Sequence, residues 1–295
     1  MSVKTKLGTV AVLFLCGCSS SGGASGADAS ADGPTSGPDA GAVDASGGDA
    51  SGCDASPGAA GVTGTGKALG YDSNLAMPTP IEGVAVCVLD HCEIPCVTSD
   101  SAGQFALPGI PPGADVAITF TKTGYYGALE VTHSPTTDFE LGAYGSGPNE
   151  MITLAYATQF FASAGWTYPS ADKGVLFAKV APPNLQNACT GLDQTALAAG
   201  SGGTPVYGIA CAASLAHDGP GTPDPALAAT SAIGEGFFLA APGPIDMTAT
   251  HPTLNCSLAP APAGWSGAGW ASTKPHTVSA ILRAGYMTKV VQQCN

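Results

Sequence analysis

The chain has 295 residues and a formal net charge of −13, because 22 acidic residues outnumber nine lysines and arginines. This acidic balance disfavours a nucleic-acid-binding protein, which needs basic side chains against the phosphates. With 41 glycines, 24 prolines and only 11% charged residues, the composition also disfavours a helical bundle or coiled coil. It indicates turns, linkers and short strands.

The N-terminus is organised like an export signal. Two lysines precede an apolar stretch over 7–15, which is too short to span a bilayer as a helix. The residues Leu15-Cys16-Gly17-Cys18 resemble the bacterial lipobox. The resemblance implies a lipoprotein signal peptide over 1–17 and a lipid on Cys18, the first residue of the mature chain. The alternative is an ordinary secretory signal with two incidental cysteines.

Residues 18–60 are typical of a disordered tether. They are nearly all Ser, Gly, Ala, Asp, Pro and Thr, without a cation or an aromatic residue, so they cannot bury enough apolar surface to order themselves. A flexible coil of this length has a root-mean-square span of roughly 35 Å. Its aspartates are too irregularly spaced to favour the alternative of a calcium-binding repeat. Ser19, directly after the lipidated position, implies the outer membrane under the lipoprotein resemblance.

Eight cysteines follow Cys18, and an even number in an exported chain indicates disulfides. They are Cys53, Cys87, Cys92, Cys96, Cys189, Cys211, Cys256 and Cys294. One pairing follows from register. If 84–89 and 94–99 form a hairpin with His91-Cys92 as its loop, Cys87 lies directly opposite Cys96 at a separation compatible with a disulfide.

Two features of this hairpin leave alternatives open. Pro95 has no N–H to donate, which counts against a regular ladder. Cys92 would pair with Cys53 or remain free. A metal site formed by Cys87, His91, Cys92 and Cys96 is a further alternative, although the spacing fits no zinc pattern, and no metal or other cofactor is expected.

The segment 61–147 reads as short strands separated by turns. Apolar alternation at 84–88, 104–107 and 116–120 is interrupted by Asp/Ser/Gly and proline-rich turns. The order of Ile81-Glu82-Gly83-Val84, Thr98-x-Asp100-x-x-Gly103-x-Phe105-x-Leu107, Ile110-x-Pro112-Gly113 and Gly124-Tyr125 resembles the carboxypeptidase regulatory-like domain. That resemblance implies a transthyretin-like β-sandwich and no peptidase activity, because the catalytic ligands of such peptidases lie in a separate domain.

A fainter copy of the pattern follows 132 residues later. Thr230-Ser231 and Phe237-Phe238-Leu239 repeat the interval from Thr98-Ser99 to Phe105-Ala106-Leu107. Further strands are predicted over 174–180, 206–211, 277–282 and 286–291. We therefore predict an all-β chain of two tandem immunoglobulin- or transthyretin-like β-sandwiches, the second and more divergent one over 170–295.

One short helix is predicted in the connector 148–169. Met151, Leu154, Phe160 and Phe161 recur near helical spacing between Pro148 and Gly165. Such an aromatic stripe is more often packing than a ligand groove. The connector is therefore expected to pack between the two sandwiches.

The sequence offers little that would carry out a reaction. The stretch 61–68 approaches a phosphate-binding loop, but Ala68 stands where a magnesium-binding Ser or Thr is needed and no helix pattern follows. The five histidines are scattered, without a metal-binding pair or a nucleophile elbow. We expect no catalytic residues, so an envelope hydrolase is the least favoured function.

Trp265 and Trp270 in a glycine-rich loop are the most suggestive surface feature. Two indoles can stack on sugar rings or insert into a partner protein, although capping of the core is the commoner role. The predicted function is a non-catalytic, lipid-anchored envelope protein for display, scaffolding or interaction. The alternative is a lipoprotein that binds carbohydrate or protein through these tryptophans.

Overall fold

The computed structural model describes residues 61–72, 78–141, 150–167, 172–183, 191–200, 203–208, 222–258 and 269–295. These residues belong to one compact unit and form twenty strands and one helix. The predicted signal peptide, Cys18 and the tether lie outside the described residues. The described part of the chain is therefore all-β apart from one helix, as predicted.

The elements of the first half are β1 (Val62–Lys67), β2 (Leu69–Tyr71), β3 (Thr79–Pro80), β4 (Ala85–Val88), β5 (Val97–Thr98), β6 (Gln104–Ile110), β7 (Val116–Thr121), β8 (Gly127–Thr132), β9 (Phe139–Glu140), β10 (Glu150–Ile152) and α1 (Leu154–Ser163). Those of the second half are β11 (Gly174–Ala181), β12 (Ala196–Ala199), β13 (Val206–Gly208), β14 (Pro223–Asp224), β15 (Glu235–Ala240), β16 (Gly243–Thr250), β17 (Cys256–Leu258), β18 (Trp270–Ala271), β19 (Thr277–Leu282) and β20 (Tyr286–Cys294). The predicted strands at 116–120, 174–180 and 277–282 are all present.

A ten-stranded sheet runs through both halves in the order β14-β13-β15-β11-β20-β8-β7-β4-β5, with β17 paired to β20. Strand β8 of the first half and β20 of the second lie side by side and parallel, with Gly127 opposite Tyr286 and Glu130 opposite Lys289. The two halves are thus joined through main-chain hydrogen bonds in the middle of one sheet.

The two faces of this central sheet contribute to different cores. Successive side chains of a strand point to opposite faces, and β8 accordingly places Ala128 in one cluster and Leu129 in another. Leu129 packs with Met247 and Val278 of the sheet β12-β16-β19-β18. Ala128 packs with residues of the sheet β6-β1-β9, including Phe105. The central sheet is therefore the middle of three layers.

Helix α1 begins later than predicted. Thr153 is its N-cap, and the Thr153 hydroxyl accepts a hydrogen bond from the Tyr156 N–H, a common way to satisfy the first turn. Met151, predicted as helical, lies instead in β10 beside β2. Phe160 and Phe161 pack between aromatic residues of both halves.

The predicted hairpin has the right register but the wrong loop. Ala85 lies opposite Thr98 and Val86 opposite Val97, which extrapolates to Cys87 opposite Cys96. The ladder stops there, and residues 89–96 form an irregular turn in place of the predicted two-residue loop. Pro95 explains the difference, because it cannot donate to the ladder.

A buried serine ties together two turns of the first half. The Ser99 hydroxyl donates to the Ile81 carbonyl oxygen at 2.7 Å and accepts from the Val84 N–H at 2.9 Å. The Ser99 N–H donates to the Val84 carbonyl oxygen, and the Ser99 carbonyl oxygen accepts from the Gly83 N–H. We call this arrangement the serine knot.

A buried threonine makes the same four bonds in the second half. The Thr230 hydroxyl donates to the Leu192 carbonyl oxygen at 2.7 Å and accepts from the Thr195 N–H at 3.0 Å. The Thr230 N–H donates to the Thr195 carbonyl oxygen, and the Thr230 carbonyl oxygen accepts from the Gln194 N–H. We call this arrangement the threonine knot.

The backbone next to the two knots also matches. The carbonyl oxygen of Gly103 accepts from the Ala68 N–H, and that of Gly234 accepts from the Val180 N–H. Both glycines have positive φ, +76° and +68°. Ser99 thus corresponds to Thr230, an offset of 131 residues. The predicted offset of 132 was one residue too long, because it aligned the two Thr-Ser pairs instead of the two knots.

The strand pairings recur as well. Strand β1 pairs antiparallel with β6 and parallel with β9, while β11 pairs antiparallel with β15 and parallel with β20. Strand β7 lies between β4 and β8, as β16 lies between β12 and β19, with all four pairings antiparallel. Six strands of each half therefore follow the same pairing scheme in the same chain order.

Candidate functional site

Trp270 lies in β18 of the sheet β12-β16-β19-β18, which we call the outer sheet, at the point where this sheet meets the first half. Its indole N–H donates to the Val116 carbonyl oxygen at 3.2 Å, and the preceding Gly269 N–H donates to the Val131 carbonyl oxygen. The side chain is half-buried and packs against the core shared by the two halves. Trp270 therefore contributes to packing, while Trp265 lies outside the described residues.

A polar cluster occupies the ends of β7 and β8, the two strands to which Trp270 and Gly269 donate these hydrogen bonds. Asp115 immediately precedes β7, and His133 and Ser134 immediately follow β8. His133 Nδ1 is 2.6 Å from an Asp115 carboxylate oxygen, which also accepts from the Ser134 N–H and hydroxyl. Ser134 has a φ of 41°, unusual for a residue with a side chain. The cluster closes this end of the β7–β8 pair.

The cluster does not have the geometry of a hydrolase triad. In a triad the histidine contacts the carboxylate through one ring nitrogen and the serine through the other. Here the Ser134 hydroxyl lies 3.4 Å from the same Nδ1 that faces Asp115 and donates to that carboxylate. The three residues therefore do not form an activated nucleophile.

Three other histidines, His91, His251 and His276, lie in turns and at strand ends, and His217 lies outside the described residues. His91 contacts Glu93 across two residues and holds the pKa of that carboxyl below its ordinary value. His251 accepts from the N–H groups of the turn that follows it. Within the described ranges, no group of three or more His, Cys, Asp or Glu side chains could hold a metal ion.

Two disulfides lie in the described residues. Cys87 and Cys96 are bonded, as predicted from the register, across nine residues. Cys256 and Cys294 are bonded across 38 residues and tie β17 to the end of β20. Cys92 is also disulfide-bonded, so the three cysteines of the alternative metal site are not available as thiolate ligands. Cys53, Cys189 and Cys211 lie outside the described residues.

Among the described residues, four buried ionisable side chains were not predicted from the sequence: Glu130, Lys179, Glu235 and Lys289. Lys179 and Glu235 are each 3% exposed in their side chains and lie 3.4 Å apart on neighbouring strands, and Lys179 also donates to the Ile233 carbonyl oxygen. Glu130, in β8, is fully buried. Burial raises the pKa of its carboxyl to about 8, against a smaller lowering by Lys289.

No helix of the described residues is long and apolar enough to cross a membrane. No protein-family model and no curated protein sequence matches the chain. The resemblance to the carboxypeptidase regulatory-like domain therefore stays a prediction.

Two solved structures share a distant similarity with the chain. One is the Bacillus anthracis TIE protein, at 10% identity and a TM-score of 0.23 over 79% of this chain. This chain covers about a third, 34%, of that protein. The other is GBS52, the minor pilin of Streptococcus agalactiae, at 10% identity and a TM-score of 0.22, covering 79% of this chain and 95% of the pilin.

Proposed function

We propose that the chain is a non-catalytic protein of the bacterial cell envelope that displays a rigid β-body on a lipid-anchored tether. Cys18 carries the lipid, and residues 18–60 form the spacer between the membrane and the body. The destination is the outer membrane. The body serves as a scaffold or interaction module, and the membrane is its first partner through the lipid.

The repeated knots and strand pairings are the observation that supports this proposal most directly. They favour two copies of one module, over 61–147 and 170–295, each of the carboxypeptidase regulatory-like type. A module of this kind supplies a scaffold with variable loops at its ends. The parallel pairing of β8 with β20 favours a body that moves as one piece, because separating the copies requires breaking main-chain hydrogen bonds and opening a shared core.

The disulfides fit the same function. Cys87–Cys96 fastens an edge strand of the central sheet, and Cys256–Cys294 fastens the C-terminal strand that joins the halves. Disulfides persist in oxidising compartments such as the periplasm and the cell surface. Both bonds lie where a displayed protein would otherwise fray.

The proposal is tested by the chemistry of the mature N-terminus. Mass spectrometry of the protein from membranes is expected to show a peptide beginning at Cys18 with a lipid mass, and Cys18→Ala is expected to release the body from the membrane fraction. Cys16→Ala is the matched control and should leave membrane association unchanged. An unmodified N-terminus downstream of Cys18 contradicts the anchoring. Protease accessibility on intact cells then reports whether the body is displayed outside.

A second function, binding of a polysaccharide or an envelope protein, is favoured by the surroundings of Trp270. This tryptophan lies against the strands whose ends carry Asp115 and His133, so an aromatic and a polar group share one corner of the body. In this alternative Trp265, five residues earlier in the chain, supplies a second indole that contacts the ligand. Trp265→Ala is expected to abolish a fluorescence change on adding polysaccharide without altering unfolding. Trp270→Phe, the control, should keep binding and lower stability.

A further inference from the structure

Glu130 is a buried acid in the middle of β8, with no exposed surface. Among the described residues, neither of its carboxylate oxygens has a hydrogen-bond partner. An ionised carboxylate in such a place loses its hydration without a compensating hydrogen bond. Burial accordingly raises the pKa of Glu130 to about 8, so the folded protein holds this acid protonated and neutral at neutral pH.

Glu130 lies at the joint between the two halves, by which we mean the parallel β8–β20 pair. In the register, Glu130 lies between Ile118 on β7 and Lys289 on β20. The ammonium of Lys289 lies 5.6 Å from the centre of the Phe177 ring on the next strand, a geometry that stabilises a cation. Lys289 attracts the Glu130 charge, but its effect on the pKa is smaller than that of burial.

Among the residues that the structure describes, the other titratable groups around this face do not place a second cation beside Glu130. Alternation along β11 and β15 places Lys179 and Glu235 on the same face of the central sheet as Glu130. The side chains of Lys179 and Glu235 contact each other there. The layer that covers this face contributes hydroxyl groups. These are the tyrosines of the aromatic cluster, namely Tyr71, Tyr126 and Tyr156, and next to them Asp72 accepts from the Thr153 hydroxyl.

We propose that Glu130 is a pH-sensitive element of the joint: the β8–β20 pair is tight while the Glu130 carboxyl is protonated, and ionisation of that carboxyl loosens it. The sign follows from linkage. The folded-state pKa of Glu130, about 8, lies above the ordinary value of 4.5, so proton binding favours the folded protein. The stability that the proton confers is complete below about pH 4.5 and is lost as the pH rises towards 8.

The test is urea unfolding of the full chain between pH 5 and pH 8, with Glu130→Gln and with the exposed control Glu82→Gln. The unfolding equilibrium constant of the unsubstituted chain is expected to rise about tenfold per pH unit relative to Glu130→Gln. Glu82→Gln should follow the unsubstituted chain at every pH. Parallel pH profiles for the unsubstituted chain and Glu130→Gln overturn the proposal.

A direct titration keeps the test valid if Glu130→Gln fails to fold. In the unsubstituted protein with labelled glutamate carboxyl carbons, the Glu130 resonance should titrate with a midpoint near 8. Raising the pH through this midpoint should speed hydrogen exchange, beyond the intrinsic chemical effect, at Leu129 and Val290. Val278 in the outer sheet should keep its protection. A midpoint in the ordinary range, or equal acceleration at Val278, overturns the proposal.

Discussion

Strands β1 and β6 of the first half correspond to β11 and β15 of the second half. One corresponding pair of facing residues is exposed in the first half and buried in the second. Lys67 lies opposite Gln104 in the first half, and both side chains are exposed. Lys179 lies opposite Glu235 in the second half, and both are buried and in contact. Strand β6 is an edge of a three-stranded sheet, whereas β15 and β11 have neighbours on both sides. The comparison shows that neighbouring strands decide whether the side chains at this position are exposed or buried.

The largest expected difference between the halves concerns these lysines. Lys179→Met leaves Glu235 buried without its cation and is expected to lower the free energy of unfolding by about 3 to 5 kcal/mol. Lys67→Met should change it by less than about 0.5 kcal/mol. Urea unfolding measures both. The double variant Lys179→Met/Glu235→Leu should recover most of the loss, and equal effects of the two single lysine variants would break the comparison.

The two disulfides give the next largest difference. Loop-closure entropy predicts a loss of roughly 4 kcal/mol on replacing Cys256 and Cys294 by serine, and roughly 2.5 kcal/mol for Cys87 and Cys96. The order follows from the sequence separations of 38 and nine residues. Thermal and urea unfolding of the two double variants check it. A larger effect of replacing Cys87 and Cys96, which close the shorter loop, would show that the β4–β5 pair depends on its disulfide more than loop entropy predicts.

The glycines beside the knots should respond alike in the two halves. A Cβ at Gly234 would overlap the Val180 carbonyl oxygen, and one at Gly103 would overlap that of Ala68. Each glycine→Ala change is expected to cost about 2 to 3 kcal/mol, from positive-φ strain and overpacking. Gly113→Ala is the control, since Gly113 has a φ of +75° with open space around it, and should cost about 1 kcal/mol. Circular dichroism melts separate the three variants.

The smallest effects concern the knot hydroxyls. Ser99→Ala and Thr230→Val each remove a buried hydroxyl that makes two hydrogen bonds and are each expected to cost about 1 to 2 kcal/mol. Equal losses in urea unfolding would sharpen the correspondence between the halves. A loss confined to one variant would show that one of the two knots is dispensable.

Much of the strand pattern could be predicted from the sequence because it depends on local signals. Alternating apolar residues at 116–120 and 277–282 identified strands. The Cys87–Cys96 pair was identified from the hairpin register, because directly opposed residues of an antiparallel hairpin have a constant sum of residue numbers. The Asp115–His133 contact could have been found in the same way, since these residues extend the β7–β8 register by one pair. The helix start was missed because Met151 and Leu154 fit a helical spacing, although β10 pairs with a distant strand, β2.

The sequence by itself determined a mostly β chain and the Cys87–Cys96 register, since these depend on alternation and on short-range spacing, and it indicated that the strand pattern of the first half recurs in the second half. Only the tertiary structure decided that the halves share one central sheet and one core. That arrangement also buries Glu130, although the alternation in Leu129-Glu130-Val131 by itself favours a solvent-facing side chain. The physical reason is that a strand alternates between two faces, and whether both are covered depends on layers contributed by distant parts of the chain.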